Sequence, residues 1–270
     1  MDTSTARSTF VGELHLYEHR PVEAQSSAAT VLLLHGIGGS ARSCTPLADR
    51  LAQLGIHAWC LDATGYGESS DPTSTPHDFV ADVLQVVDAV SPDGPITLLG
   101  TSWGGVVAIA TALARPDRVA GLVLADSTRG SGTSPEKSAG MRKRAREMAT
   151  RGAAAVASER APRLVAPSAK PAVVESVRTS MASVRRAGFG AAAQFMESTD
   201  HGPRLCDIAC PTLVLVGESD EVTGVAESRL LAEHIPDARF HEIAGAGHVA
   251  IQEQPAVVAA LVGDFVERLS

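Results

Sequence analysis

The stretch Gly100-Thr101-Ser102-Trp103-Gly104-Gly105 joins an apolar run, Ile96 to Leu99, to a run of helical character, Val106 to Ala114. Because glycine has no β-carbon, Gly100 and Gly104 let a strand end and a helix start approach closely. A serine on so tight a turn exposes its hydroxyl, and the helix that follows directs its N-terminal N–H groups toward it. The stretch predicts an exposed nucleophile, although a glycine-rich turn with an incidental serine has the same pattern.

Two downstream loops carry the side chains that a serine nucleophile needs. A serine hydroxyl attacks only when a histidine takes its proton and a carboxylate orients that histidine. Asp220 follows the predicted buried strand Thr212 to Val216, and His248 follows the predicted strand Arg239 to Ile243. We therefore expect Ser102, Asp220 and His248 to meet at one edge of a sheet.

A second acid remains open at this stage. Asp126 ends the apolar run Gly121 to Ala125 and is also able to point toward the site. Asp220 is favoured over Asp126 because it lies on a loop that follows a buried strand at the same sheet edge as Ser102.

Donors for an oxyanion are predicted from the first glycine-rich loop. The apolar strand Val31 to Leu34 is followed by His35-Gly36-Ile37-Gly38-Gly39. The backbone N–H groups of Ile37 and Trp103 are the expected pair of donors. We expect His35 to brace this loop by hydrogen bonds rather than to act as a base.

Strand and helix signals alternate through the first half of the chain, which indicates a mostly parallel sheet. The predicted strands are Phe10 to Tyr17, Val31 to Leu34, Ala58 to Leu61, Ile96 to Leu99 and Val119 to Ala125, and the predicted helices include Pro46 to Leu54 and Pro76 to Val90.

Residues 131–204 differ in composition, since strand signals disappear and alanine, arginine, serine and proline dominate. This segment predicts a helical lid inserted into a core formed by residues 1–130 and 205–270. The expected lid helices are Pro135 to Arg151, Ala153 to Arg160, Ala172 to Ser183 and Ala187 to Ser198.

The lid is rich in arginine. Most such residues belong to solvated helix faces balanced by glutamates. A sharper hypothesis is that Arg144 or Arg185 points down and binds a carboxylate of the substrate.

Composition limits the classes of partner. The chain has 270 residues and a net charge of −8, and it lacks the basic stripe with interleaved aromatics that binds a phosphate backbone. We therefore expect no nucleic-acid partner. We also expect no membrane partner. A cytoplasmic location is expected because Met1 to Ser8 lacks the apolar core of a signal peptide. Cys206 and Cys210 with His201 do not make a convincing zinc site, so no metal is predicted. A homo-oligomer remains open.

Five segments resemble the α/β-hydrolase superfamily in order and spacing. They are His35-Gly36, Asp62-Ala63-Thr64-Gly65-Tyr66-Gly67-Glu68-Ser69, the Ser102 turn, Gly217-Glu218-Ser219-Asp220 and Gly247-His248. Within the superfamily the chain is most similar to the 3-oxoadipate enol-lactonase group, through Gln252-Glu253-Gln254-Pro255 and the alanine- and arginine-rich lid. The resemblance implies a twisted, mostly parallel sheet flanked by helices, with Ser102 as nucleophile, His248 as general base and then acid, and Asp220 as the orienting carboxylate.

The implied activity is hydrolysis of a small carboxylic ester or lactone by a serine hydrolase that needs no cofactor. Trp103 stands where enol-lactonases commonly have methionine or leucine, so the substrate stays open. Because Trp103 follows Ser102 directly in the turn, its side chain is also a candidate substrate contact. The alternatives are a carbon–carbon bond hydrolase of vinylogous diketones, a thioesterase or haloperoxidase-like enzyme, and a ligand-binding receptor on the same fold. Val249 and Ala250 follow His248, where carbon–carbon bond hydrolases usually have an aromatic residue.

Overall fold

Eight strands form one sheet in the computed structural model, which describes residues 6–21 and 29–269. The first five residues of the polar segment Met1 to Ser8 lie outside that description. The strands are β1 (Arg7–Val11), β2 (Leu14–His19), β3 (Thr30–Leu34), β4 (His57–Leu61), β5 (Ile96–Thr101), β6 (Val119–Ala125), β7 (Thr212–Gly217) and β8 (Ala238–Ile243).

Ten α-helices accompany the sheet within the described residues. They are α1 (Ala41–Gln53), α2 (Phe79–Val90), α3 (Trp103–Ala114), α4 (Pro135–Arg151), α5 (Ala153–Arg160), α6 (Pro171–Ala182), α7 (Arg186–Ser198), α8 (Val225–His234), α9 (Ala250–Glu253) and α10 (Pro255–Glu267).

The strand order is β1-β2-β4-β3-β5-β6-β7-β8, with parallel pairing from β4 through to β8. The chain adds β4 on one side of β3 and β5 on the other, so the strand order reverses beside β3. The loops after β3, β5, β7 and β8 all leave the same edge of the sheet. This edge is where open parallel sheets bind ligands.

The prediction of one strand over Phe10 to Tyr17 was wrong. These residues form parts of β1 and β2, which pair antiparallel with Val11 opposite Leu14. The chain reverses at Gly12, whose φ of +59° lies in the region that favours glycine. Side chains alternate on both sides of this turn, so the alternation alone did not reveal the reversal.

Two predicted helix starts also need correction. Helix α1 begins at Ala41 rather than Pro46, because Ser40 caps it. Helix α2 begins at Phe79 rather than Pro76, where the Asp78 carboxylate accepts the N–H groups of Val80 and Ala81. In both cases the cap, and not the proline, sets the first turn.

Apolar side chains on the two faces of the sheet form separate clusters. In β5, Leu98 belongs to the cluster that includes residues of α2 and α3, and Leu99 belongs to the cluster under α1 and α10. Successive strand residues face opposite sides of a sheet, so the continuous apolar run of β5 indicates a strand covered on both faces. The central strands thus hold the loops of the carboxyl edge in place.

Helices α4 to α7 lie between β6 and β7 and are called here the helical insertion (residues 135–198). The two ends of the insertion are joined to each other. The Ser131 N–H donates to the Met196 carbonyl and the Gly132 N–H to the Thr199 carbonyl, both at 2.8 Å. The chain therefore leaves and re-enters the core at neighbouring points.

Within residues 6–21 and 29–269, no helix combines the length and apolar character that crossing a membrane requires.

Candidate active site

Ser102 occupies the turn between β5 and α3 in a conformation that side chains rarely adopt. Its φ is 52° and its ψ is −117°, and such strained backbone needs support from its surroundings. The Ser102 N–H donates to the Ala125 carbonyl at 2.9 Å, and the Ser127 hydroxyl donates to the Ser102 carbonyl at 2.9 Å. These bonds fix the turn so that Ser102 lines a cavity above the sheet edge.

Gly104 allows this turn to pack closely against β3. A β-carbon on Gly104 would lie 2.3 Å from the Leu34 carbonyl oxygen and 2.6 Å from that of His35. Both atoms belong to backbone, so neither can move aside cheaply. The absent side chain therefore brings the loop after β3 next to Ser102.

The structure brings Ser102, His248 and Asp220 together in a row. Ser102 Oγ lies 3.0 Å from His248 Nε2, and His248 Nδ1 lies 3.1 Å from each oxygen of the Asp220 carboxylate. Ser102 is half-buried, whereas Asp220 and His248 are buried. Each distance is within hydrogen-bond range, so His248 is placed to exchange a proton with Ser102 while Asp220 orients the imidazole.

Asp220 also accepts hydrogen bonds from its own loop. Its carboxylate accepts the Val222 N–H at 2.7 Å, the Thr223 N–H at 3.3 Å and the Thr223 hydroxyl at 2.6 Å. Burial raises the pKa of this carboxyl, but the hydrogen bond and charge of His248, with the bonds from Thr223 and Val222, outweigh burial and lower the pKa to about 2. Asp220 is therefore ionised at neutral pH.

The loop that carries His248 is held by Glu253. Its carboxylate accepts the Gly247 N–H at 2.7 Å and the Ala166 N–H at 2.7 Å. Gly247 belongs to the loop before His248, and Ala166 belongs to the helical insertion. Glu253 therefore connects the insertion to the position of the histidine.

Asp126, the second candidate acid, accepts hydrogen bonds from the same loops and not from the imidazole. Its two carboxylate oxygens accept the Gly217 N–H at 2.8 Å and the Ala250 N–H at 3.0 Å. The structure gives no hydrogen bond between Asp126 and His248 among the described residues. Asp126 thus braces the loops that carry Asp220 and His248, while Asp220 contacts the histidine itself.

The buried Asp126 carboxyl should make stability fall with rising pH. Burial, aided by the charge of Asp220 and opposed by that of His248, raises its pKa from 3.8 to about 7. A carboxyl with a raised folded-state pKa binds more protons when folded, so the free energy of unfolding decreases as the pH rises between these values. Between pH 5 and pH 8, we expect the wild type to lose about 2 kcal/mol more than Asp126→Asn. Urea unfolding of both proteins at the two pH values tests this, and parallel pH dependence would contradict it.

The loop after β3 lies against Ser102 as expected for an oxyanion site. A β-carbon on Gly36 would lie 3.5 Å from the Ser102 β-carbon, and Ile37 lines the cavities with Ser102. The Tyr66 hydroxyl donates to the Ile37 carbonyl at 3.2 Å and so fixes the peptide that precedes Gly38. His35 Nδ1 lies 2.8 Å from the Gly36 carbonyl, and His35 Nε2 accepts the Ala63 N–H at 3.3 Å. Both contacts brace the loop.

Trp103 packs into an aromatic cluster. Its ring is 2% exposed, stacks on Tyr66 with centroids 5.6 Å apart, and meets the edge of Phe79 at 5.0 Å. Trp103 contributes to the lining of the cavity that holds Ser102, but its indole mainly anchors the start of α3. A contact between the Trp103 side chain and the substrate stays a prediction.

Two cavities meet at Ser102. The smaller, of about 60 Å³, is walled on one side by the apolar residues Leu164, Val177, Met181 and Val249. The larger, of about 470 Å³, extends under α4 and α5 and is lined mainly by polar and charged residues. A substrate bond placed over Ser102 would therefore have two different surroundings.

The structure separates the two candidate arginines of the insertion. Arg144 lines both cavities. Arg185 instead pairs with Asp71 at 2.9 Å and donates to the carbonyls of Gly67 at 2.7 Å and of Ser69. It fastens the insertion to the core and does not line either cavity that contains Ser102. Arg185 as a substrate contact is therefore not supported by its position.

Two supporting residues were missed from the sequence: Tyr66 and Thr223. Tyr66 lies in the segment that carried the resemblance, and Thr223 follows Asp220 by three residues, the spacing of a side chain that caps an aspartate turn. Both signals were available in the sequence.

Among the described residues, no group of three or more histidine, cysteine, aspartate and glutamate side chains is suited to hold a metal. Cys206 is exposed and Cys210 half-buried, and both are free thiols.

The sheet order, the strained Ser102 turn and the row of three side chains define the α/β-hydrolase fold. An esterase from Thermogutta terrifontis, solved with malate bound, superposes with a TM-score of 0.85 at 30% identity over 98% of each chain. An enol-lactonase from Burkholderia xenovorans superposes with a TM-score of 0.83 at 24% identity, over 97% of this chain and all of that chain (100%).

Sequence comparison gives the family. Residues 25–255 match the model of the family described as serine aminopeptidase, S33. The chain belongs to this family of α/β-hydrolases. It is also similar to 3-oxoadipate enol-lactonase 2 of Acinetobacter baylyi, at 28% identity over 202 residues, which cover 73% of each chain.

Proposed function

We propose that this chain is a serine hydrolase that cleaves a small carboxylic ester or lactone through an acyl-enzyme intermediate. The observation that carries the proposal is the row from Ser102 Oγ to His248 Nε2 at 3.0 Å and from His248 Nδ1 to the Asp220 carboxylate at 3.1 Å. Its similarity to an enol-lactonase and to a thermophilic esterase supports an ester bond as the target. The chain is a hydrolase of ester bonds in this proposal, similar to 3-oxoadipate enol-lactonase.

The first half of the reaction acylates the serine. His248 Nε2 takes the Ser102 proton as Oγ bonds to the substrate carbonyl carbon, and the carbonyl oxygen becomes an oxyanion. The N–H groups of Ile37 and Trp103 bind this oxyanion, with the positive end of α3 directed toward it. His248 then gives its proton to the leaving alcohol oxygen as the carbon–oxygen bond breaks.

The second half releases the acid. Water attacks the acyl carbon, His248 takes a proton from that water, and the second tetrahedral intermediate collapses to return the proton to Ser102. In a lactone the leaving alcohol stays on the same molecule, so the product is one hydroxy acid or, from an enol lactone, one keto acid. No step in this sequence draws on a cofactor.

Asp220 supports both halves through His248. Its ionised carboxylate stabilises the imidazolium that forms when His248 holds the proton, and it keeps Nε2 directed at Ser102. The helical insertion acts as a lid in this proposal, since Arg144, Leu164, Val177 and Met181 line the cavities above Ser102. A covered site limits the access of water to the acyl-enzyme.

Covalent labelling tests the proposed nucleophile without knowledge of the substrate. A fluorophosphonate probe should label the wild type on the peptide that contains Ser102, and a panel of short-chain esters and small lactones should contain at least one that is turned over. No labelling and no turnover would favour a ligand-binding receptor on the same fold. Cleavage of vinylogous diketones in preference to every ester would favour the carbon–carbon bond hydrolase.

A further inference from the structure

The residues on both sides of His248 rest on the helical insertion. A β-carbon on Gly247 would lie 2.6 Å from the Val165 carbonyl carbon and 2.7 Å from the Ala166 nitrogen, so the two backbones are in direct contact. Val249 packs against an apolar cluster whose buried members all belong to the insertion: Ala157, Ala161, Leu164, Val177 and Met181. The position of the proposed base therefore depends on the insertion as well as on the sheet.

Glu253 joins the insertion to the histidine loop through a single carboxylate. One oxygen accepts the Gly247 N–H and the other accepts the Ala166 N–H, each at 2.7 Å. Gly247 and Ala166 are buried, so neither N–H group has solvent as a ready alternative acceptor. Glu253 itself ends α9 and lines neither cavity that contains Ser102. Its two bonds therefore act on backbone position and not on a bound substrate.

The loop before His248 has no large side chain of its own to anchor it. Its sequence is Ala244-Gly245-Ala246-Gly247. On the sheet side, the Ala246 carbonyl accepts the Ser219 N–H at 2.9 Å, and the Gly245 N–H donates to the exposed Glu218 at 3.3 Å. The bond from Gly247 to Glu253 is shorter than either and lies one residue before the imidazole. It therefore fixes the backbone from which His248 projects.

We infer that Glu253 is a positioning residue: through Gly247 it holds His248 opposite Ser102, and through Ala166 it makes that position depend on where the insertion lies. This inference rests on the proposed function and concerns how its base stays aligned with its nucleophile. Proton transfer needs His248 Nε2 within hydrogen-bond reach of Ser102 Oγ, and the two atoms are 3.0 Å apart. A misplacement of about 1 Å at such a centre lowers the rate by about 100-fold.

The geometry requires a carboxylate at this position. Both partners are N–H donors, so the side chain between them must present two acceptor oxygens. Glutamine has nearly the same shape but only one acceptor oxygen, because its amide nitrogen is a donor. In Glu253→Gln, either the Gly247 N–H or the Ala166 N–H must therefore face another donor. This variant breaks the link while it preserves the packing volume.

Glu253→Gln should lower kcat for p-nitrophenyl acetate or p-nitrophenyl butyrate by about 10- to 100-fold and leave KM within about threefold. Glu218→Gln is the matched control, since Glu218 also accepts an N–H of the histidine loop but is exposed. Its kcat should stay within about twofold of the wild type. Steady-state kinetics measure both variants. Equal kcat in Glu253→Gln and wild type, or a rise in KM alone, would overturn the inference.

A pH profile separates lost position from lost charge. Removing the charge of Glu253 would act by destabilising the imidazolium of His248, which moves the pH of half-maximal kcat/KM downward. Lost position lowers the plateau without moving this midpoint. For Glu253→Gln we expect a lower plateau and a midpoint within about 0.3 pH units of the wild type. A midpoint shifted by about one unit with an unchanged plateau would contradict the positioning role.

Gly247→Ala tests the contact with the insertion by a second route. The nearest atoms to the added β-carbon belong to backbone, so the histidine loop and the insertion must move apart. We expect kcat for the same esters to fall at least about tenfold. Gly190→Ala is the control, because a β-carbon on Gly190 of α7 has nothing within 4 Å. Unchanged kcat in a folded Gly247→Ala, checked by thermal unfolding, would show that this contact does not govern the base.

Amide hydrogen exchange measured by NMR tests the link without any substrate. In Glu253→Gln the amides of Gly247 and Ala166 should exchange at least about tenfold faster than in the wild type, and in Glu218→Gln they should not. Unchanged exchange would refute the link. Faster exchange with unchanged kcat would refute the positioning role and leave the proposed hydrolase intact. A wild type that neither hydrolyses these esters nor labels at Ser102 would refute the proposed function itself, whatever the exchange rates.

Discussion

Replacing Ser102 with alanine is expected to lower kcat for any turned-over ester by about 10⁴- to 10⁶-fold. The hydroxyl is the only group removed, so no acyl-enzyme can form and only the binding and oxyanion groups remain to accelerate the reaction. Alanine and serine are strained to a similar degree at a φ of 52°, so the substitution should change the melting temperature little. Steady-state kinetics, probe labelling and thermal unfolding on the same preparation measure all three.

The chain offers a matched control for this substitution. Ser8 Oγ lies 2.8 Å from His15 Nε2, and His15 Nδ1 lies 2.8 Å from the Asp62 carboxylate, so a second serine faces a histidine paired with an acid. Ser8 lies within strand β1 and lines neither cavity that contains Ser102. Ser8→Ala should retain full activity and full labelling. Loss of labelling in Ser8→Ala with retention in Ser102→Ala would reassign the nucleophile.

The second large effect is expected at Asp220. Asp220→Asn should lower kcat by about 10⁴-fold, because an amide neither stabilises the imidazolium nor holds His248 in the productive orientation. Asp126→Asn should stay within about tenfold of the wild type, since Asp126 accepts backbone N–H groups and makes no hydrogen bond to the imidazole.

The comparison of the two variants decides which acid serves the histidine. Glu221→Gln, an exposed neighbour of Asp220, removes a charge from the same loop and should leave kcat unchanged. If Asp126→Asn proved the more damaging substitution and Asp220→Asn nearly harmless, the assignment of the acid would have to be reversed. Circular dichroism on each variant distinguishes lost chemistry from lost fold.

The features that the sequence predicted well depend on local chemistry. Gly100 and Gly104 around Ser102 indicate a tight turn because only glycine fits there, and the structure shows backbone within 2.3 Å of the β-carbon that Gly104 lacks. Helices α4 and α5 have the boundaries expected from Pro135 at one start and Gly152 between them. Proline and glycine restrict the backbone wherever they occur, so their effect does not require knowledge of distant contacts.

The features that could not be predicted depend on how elements pack. Residues on a helix point about 100° apart from one to the next, so the composition of the insertion does not say whether Arg144 or Arg185 faces the cavity. The structure resolves this through packing, since Arg185 reaches Asp71 on a distant loop. In the same way, the order of strands β1 and β2 beside β4 arises from pairings between residues far apart in sequence.

The joined ends of the helical insertion have a consequence for how this scaffold can diversify. Because Ser131 and Gly132 are bonded to Met196 and Thr199, the segment between them forms a cassette whose exchange leaves the spacing of the flanking strands unchanged. New specificities can therefore arise by recombination at these two points while the positions of Ser102, Asp220 and His248 are inherited intact. A transplanted cassette must retain a backbone N–H at the place of Ala166, since Glu253 uses that donor together with Gly247 to seat the imidazole loop.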